Sequence, residues 1–131
     1  MEVGTRLPRL RRTLDLKRLV MYGGASWDWH ALHYDPAYAA AAQLPAPIAD
    51  GQMFGAFFAE QIFSLFGPTA VVERMSFRFR SMVFAGETVD VSGEIDSIEP
   101  ADNGNRISAS HLLEVGDRPC STGTTTTWVP R

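Results

Sequence analysis

Cysteine is nearly absent. Cys120 stands alone in 131 residues, which excludes an internal disulfide framework and any zinc site built on thiolates. A small apolar residue in a strand is the role expected of it. Positive charge is in deficit: twelve Lys and Arg against fifteen Asp and Glu leave a formal net charge of −3, which argues against a nucleic-acid surface. Long apolar runs are missing as well. The longest, Ala56 to Phe66, is broken by Glu60, Gln61 and Ser64, so no membrane span is expected. Residues 1–12 carry arginines with no apolar stretch behind them and do not read as a secretory signal. These absences together point to the cytoplasm.

What is present is globular. Hydrophobic residues make up 45% and charged residues 21%, enough to build the core of one domain over residues 1–131. Residues 1–12 alternate enough for a short edge strand, with Pro8 tolerated there. Thr13 or Asp15 can cap a helix through Leu16, Leu19, Val20 and Met21 that stops at Gly23-Gly24. Pro36 opens a short helix over Ala37–Gln43, which Pro45 and Pro47 end. After Asp50-Gly51 comes a longer helix, apolar on nearly all sides and hence expected to be buried, closed by Gly67-Pro68.

From Val71 the apolar period changes to two. Met75, Phe77 and Phe79 lie on one strand; Val89, Val91 and Ile95 lead a second. Asp102-Asn103-Gly104-Asn105 signals a hairpin. A third strand follows over Ile107–Val115, and a threonine-rich fourth over Ser121–Val129. Consecutive strands without intervening helices exclude a doubly wound α/β fold. The pattern is α+β: a buried central helix wrapped by an antiparallel sheet of about five strands, which suits a hot-dog fold.

The chemistry concentrates in Tyr22–Asp35, which holds His30, His33, Trp27, Trp29, Asp28 and Asp35. Asp28 and His33, five positions apart, diverge on a regular helix but can converge on one water in an irregular turn. A carboxylate beside an imidazole is a general acid/base pair when both reach the same proton. A turn with capping aspartates and a histidine satisfied by a carbonyl accounts for the same residues. His111, alone in a strand, reads as structural.

Two blocks decide between these readings. Tyr22, Ser26, Asp28, His33 and Asp35 match in register the pattern Tyr-Ala-x-x-Ser-Gly-Asp-x-Asn-Pro-x-His-x-Asp. Pro47, Ala49, Gly51 and, one place late, Met53 match a second block, Pro-x-Ala-His-Gly-Met, at the right separation. The strand Phe77–Arg80 and the turn Ala85–Thr88 match further segments. The chain thus resembles the MaoC-like (R)-specific enoyl-CoA hydratases and 3-hydroxyacyl dehydratases, of hot-dog fold. It departs from them at Trp27 (Gly in the pattern), His30 (Asn), Ala31 (Pro) and Asp50 (His).

The resemblance implies reversible hydration of a trans-2-enoyl thioester. Asp28 and His33 would activate one water, and the Gly51 N–H at the helix start would polarise the thioester carbonyl. A plain helix-opening glycine is the alternative for Gly51. Ser26, His30 and Trp27 are candidates for substrate contact or support, with Ser26 either bonding Asp28 or capping the turn. Arg78 and Arg80 are candidates for phosphates of coenzyme A or a carrier arm, or simply solvated arginines. No metal and no cofactor is implied beyond the thioester itself, and no nucleic-acid or membrane partner. A homodimer, or a hetero-oligomer with another hot-dog subunit, is expected from the exposed sheet edges. A thioester hydrolase of the same fold and a non-catalytic acyl-binding subunit are the rival functions.

Overall fold

The structure, a computed structural model, describes all 131 residues. Five strands form one antiparallel sheet: β1 (Leu10–Thr13), β2 (Val71–Phe79), β3 (Thr88–Ala101), β4 (Gly104–Val115) and β5 (Arg118–Pro130), in the order β1-β3-β4-β5-β2. Consecutive strands β3, β4 and β5 pair as a meander, with Ala101 opposite Gly104 across the expected hairpin turn. Asn103 supplies the left-handed residue of that turn at φ +57°. The amino-terminal strand pairs with β3, and β2 closes the other edge against β5.

Helix α3 (Gln52–Phe66) lies against this sheet. Met53, Phe54, Phe58 and Ile62 are buried on its sheet-facing side, among Val89, Val91, Ile95 and Leu113. It lies close to β2 at Gly55, where a Cβ would stand 2.8 Å from the Phe77 ring. The helix is not covered on every side, as its composition suggested. Ala56, Phe63 and Ser64 are exposed, because the sheet wraps only one side of it in the single chain.

Helix α1 (Leu16–Ser26), capped by the Asp15 carboxylate on the Arg18 N–H, also differs from expectation. It runs through Gly23 and Gly24 instead of stopping there. The Trp29 indole packs against both glycines, 3.4 and 3.7 Å from where their Cβ atoms would be. The glycines give a flat helix face for that ring. Trp27 stops the helix by entering the left-handed region at φ +57°, a conformation a bulky residue rarely adopts. The chain folds back there and continues into a 3-10 turn (Ala31–His33) and helix α2 (Pro36–Ala41).

His111 is structural, and its surroundings explain why. It is buried, stacked on Phe58, with Nδ1 2.8 Å from Gln61 Oε1 and Nε2 2.9 Å from the Thr125 hydroxyl. Gln61 in turn donates to the Pro8 carbonyl at 2.9 Å. This network ties α3 to strands β4 and β5 and to the segment leading into β1. Burial pushes the His111 imidazole down from 6.5 to about 4.

The unfolded chain takes up that proton near pH 6.5, while the folded chain resists it down to about pH 4. Stability is therefore lost as pH falls through this window, by about 3 kcal/mol from this group. His111→Gln should flatten the corresponding part of the pH dependence. Urea unfolding of both proteins between pH 7 and 4.5 checks this; equal slopes would refute the assignment.

Candidate active site

The irregular turn after α1 does what a continuous helix could not. Asp28 follows the left-handed Trp27, and His33 ends the 3-10 turn, so the two side chains converge. His33 Nε2 lies 3.9 Å from Asp28 Oδ2. Its Nδ1 is 2.9 Å from the Ile48 carbonyl; that oxygen can only accept, so Nδ1 carries a proton and Nε2 is the atom turned to the carboxylate. A separation of 3.9 Å is too long for a direct hydrogen bond but allows both groups to bond one shared oxygen.

A third group joins them. Asp50, immediately before Gly51, places Oδ2 at 4.0 Å from the same Nε2, while its Oδ1 accepts the Gln52 N–H at 3.0 Å. A hydrogen bond with Asp50 holds the Asp28 carboxyl below the usual carboxylate range, helped by the His30 N–H. Burial pushes Asp50 upward, and the neighbouring Asp28 adds to that, against the Gln52 N–H. Burial, then these two carboxyls, push the Tyr22 phenol up. Sequence reading recorded Asp50 only as a departure from the family pattern, and Tyr22 only as a matched position of the first block. Their positions directly before Gly51 and at the head of the Asp28 block were the available signals.

The three ligand atoms offered by Asp28, His33 and Asp50 lie within 4.8 Å of one another. Adjacent ligands on an octahedral ion with bonds of about 2.1 Å stand roughly 3 Å apart. The 3.9 and 4.0 Å spacings around Nε2 are wider than that.

His33 and Gly51 both line a cleft of about 410 Å³, with Ala49, Phe54, Phe79, Arg80 and Met82 among its other walls. The Gly51 N–H makes no hydrogen bond within the chain. Gly51 has an ordinary helical φ of −62°, so backbone conformation does not require glycine here. Close approach does: a Cβ would stand 2.2 Å from the Phe79 ring. The space beside this glycine is occupied by the Phe79 ring.

The remaining candidates are placed less centrally. The Ser26 hydroxyl donates to the Tyr22 carbonyl at 2.7 Å, so it bonds back onto the last turn of α1 and does not bond Asp28. His30 accepts the Leu32 N–H on Nδ1 at 3.1 Å, and its ring meets those of His33 and Tyr38 edge to face. It supports the turn. Trp27 is 80% exposed, stands edge to face with Trp29 and does not line the cleft. Arg80 does line it, and its guanidinium is 3.4 Å from the Thr122 hydroxyl. Arg78 lies outside the cleft, in a shallow groove it shares with Arg80.

A central helix against a five-stranded antiparallel sheet defines a hot-dog protein. Residues 2–114 match the family model "MaoC like domain". The chain belongs to the MaoC-like dehydratase family. It is 27% identical over 99 residues to the (R)-specific enoyl-CoA hydratase of Aeromonas caviae, covering 75% of this chain and 73% of that one. It is 36% identical over 66 residues to the peroxisomal hydratase-dehydrogenase-epimerase of Saccharomyces cerevisiae, half of this chain but only 7% of that much longer protein.

Among solved structures, the fold matches the Mycobacterium tuberculosis ChsH1-ChsH2 complex with a TM-score of 0.90 at 20% identity, covering 98% of each chain. It matches the A. caviae (R)-hydratase involved in PHA biosynthesis with a TM-score of 0.89 at 24% identity, over 99% and 98% of the two chains. No helix is long and apolar enough to cross a membrane.

Proposed function

We propose that this chain hydrates a trans-2-enoyl thioester, or dehydrates the corresponding 3-hydroxyacyl thioester. The observation that supports this most directly is the convergence of Asp28 and His33 on one shared position, beside a cleft holding an unbonded helix-start N–H at Gly51. Hydration needs a base for water as its oxygen attacks the β-carbon, and a donor for the thioester oxygen where enolate charge develops. Asp28 and His33 hold and deprotonate the water. The Gly51 amide and the α3 dipole meet the developing oxyanion.

No cofactor is required beyond the coenzyme A or carrier pantetheine of the substrate. Arg80, on the cleft wall, is the better placed of the two arginines for a phosphate. The exposed Phe79 and Met82, beside the free edge of β2, suit cover by a second hot-dog subunit, identical or different. A chain of the same fold occurs in the ChsH1-ChsH2 complex.

Incubation with crotonyl-CoA tests the reading. Loss of enoyl absorbance without free thiol is expected. Release of thiol would instead indicate a hydrolase, for which the Asp50 carboxyl beside α3 would be the group to examine. Activity that appears only with a partner and survives Asp28→Asn would indicate a non-catalytic subunit.

A further inference from the structure

The dyad and the Gly51 amide leave Asp50 without a task, although it faces the same imidazole nitrogen as Asp28 at nearly the same distance, 4.0 against 3.9 Å. No lysine or arginine pairs with either carboxyl. The titratable groups around them are His33 and His30 from the turn and Tyr22 from α1. Two carboxylates this close without a fixed cation oppose each other's ionisation and share one proton.

Their surroundings decide where that proton resides. The Asp50 side chain is 11% exposed and the Asp28 side chain 45%. Desolvation therefore favours the neutral form at Asp50, and hydration favours the charged form at Asp28. Asp28 also accepts the His30 N–H at 3.3 Å.

We propose that Asp28 and Asp50 act as a one-proton carboxyl pair, with Asp28 the ionised base and Asp50 the acid that protonates the substrate α-carbon. The inference rests on the hydratase reading and adds to it the missing proton source. Asp50 directly precedes the residue whose amide meets the thioester oxygen, and the α-carbon is one bond from that carbonyl carbon. In hydration the water oxygen bonds the β-carbon and its proton passes to Asp28. The π electrons move to the thioester oxygen as an enolate. The enolate then collapses, its α-carbon taking the Asp50 proton. Transfer of the new Asp28 proton to Asp50 restores the pair, and one water has been added.

Carboxyl ¹³C NMR titration of the wild type tests the shared proton without reference to activity. Two coupled steps are expected, one below and one above the ordinary carboxylate range; two independent ordinary steps would overturn the pair. Asp50→Asn keeps the acceptor for the Gln52 N–H but holds no transferable proton. With crotonyl-CoA it should lose about 100-fold or more in kcat, with KM within about twofold, and lose the alkaline limb of the kcat profile. Asp50→Glu should recover part of the rate. Unchanged kcat and pH profile in Asp50→Asn would overturn the acid role and leave the hydratase reading standing. A wild type inactive on every enoyl thioester would overturn both, while the NMR titration still decides whether the carboxyls share a proton.

Discussion

Asp28→Asn and His33→Ala should each lower hydration of a trans-2-enoyl thioester by about three orders of magnitude, within the range that a positioned acid or base supplies. The two act on one proton, so their effects should not add: the double variant should be little worse than either single one. Folding should survive both. The Asp28 carboxylate accepts one backbone N–H at 3.3 Å from a half-exposed position. His33 loses one bond to the Ile48 carbonyl, a cost of about 1 kcal/mol. Steady-state kinetics with a melting curve for each variant separates chemistry from stability. Activity within tenfold of wild type in either one would remove the dyad.

Gly51→Ala carries the next largest effect. The new methyl would stand 2.2 and 2.3 Å from Phe79 Cζ and Cε1, so either the ring or the helix start must shift. A displacement near 1 Å at an oxyanion donor can cost about 100-fold in rate, and loss of the donor about two to three orders of magnitude. Phe79 is 64% exposed at the end of β2, so the ring is the part that can yield. Shortening it should therefore rescue the defect. Gly51→Ala combined with Phe79→Ala is expected to regain much of the lost kcat, whereas Phe79→Ala alone should chiefly raise KM by opening the cleft wall. A fully active Gly51→Ala would mean the amide does not serve the reaction.

Much of this was legible in the chain. The change of apolar period at Val71 marks where helices give way to strands, and the hairpin residues at Asp102–Gly104 stand where the turn forms. Asp15 and Asp35 cap the helices that follow them. Gly23-Gly24 misled, because a glycine pair is a stop signal only when nothing packs on it, and the Trp29 ring does. Trp27 was a candidate for the pocket, yet its left-handed backbone turns the chain and leaves the indole in solvent. That same φ gives a physical reason for glycine at this place in the family pattern.

The chain by itself determined the kind of each element and the residue types available for acid/base chemistry, since periodicity, caps and turns act between near neighbours. Only the tertiary structure decided that β1 joins the sheet beside β3, that Ile48 aligns the His33 ring across 15 positions, and that Asp50 arrives opposite Asp28. Those outcomes depend on which distant backbone groups satisfy one another when the core closes, and no local pattern records that.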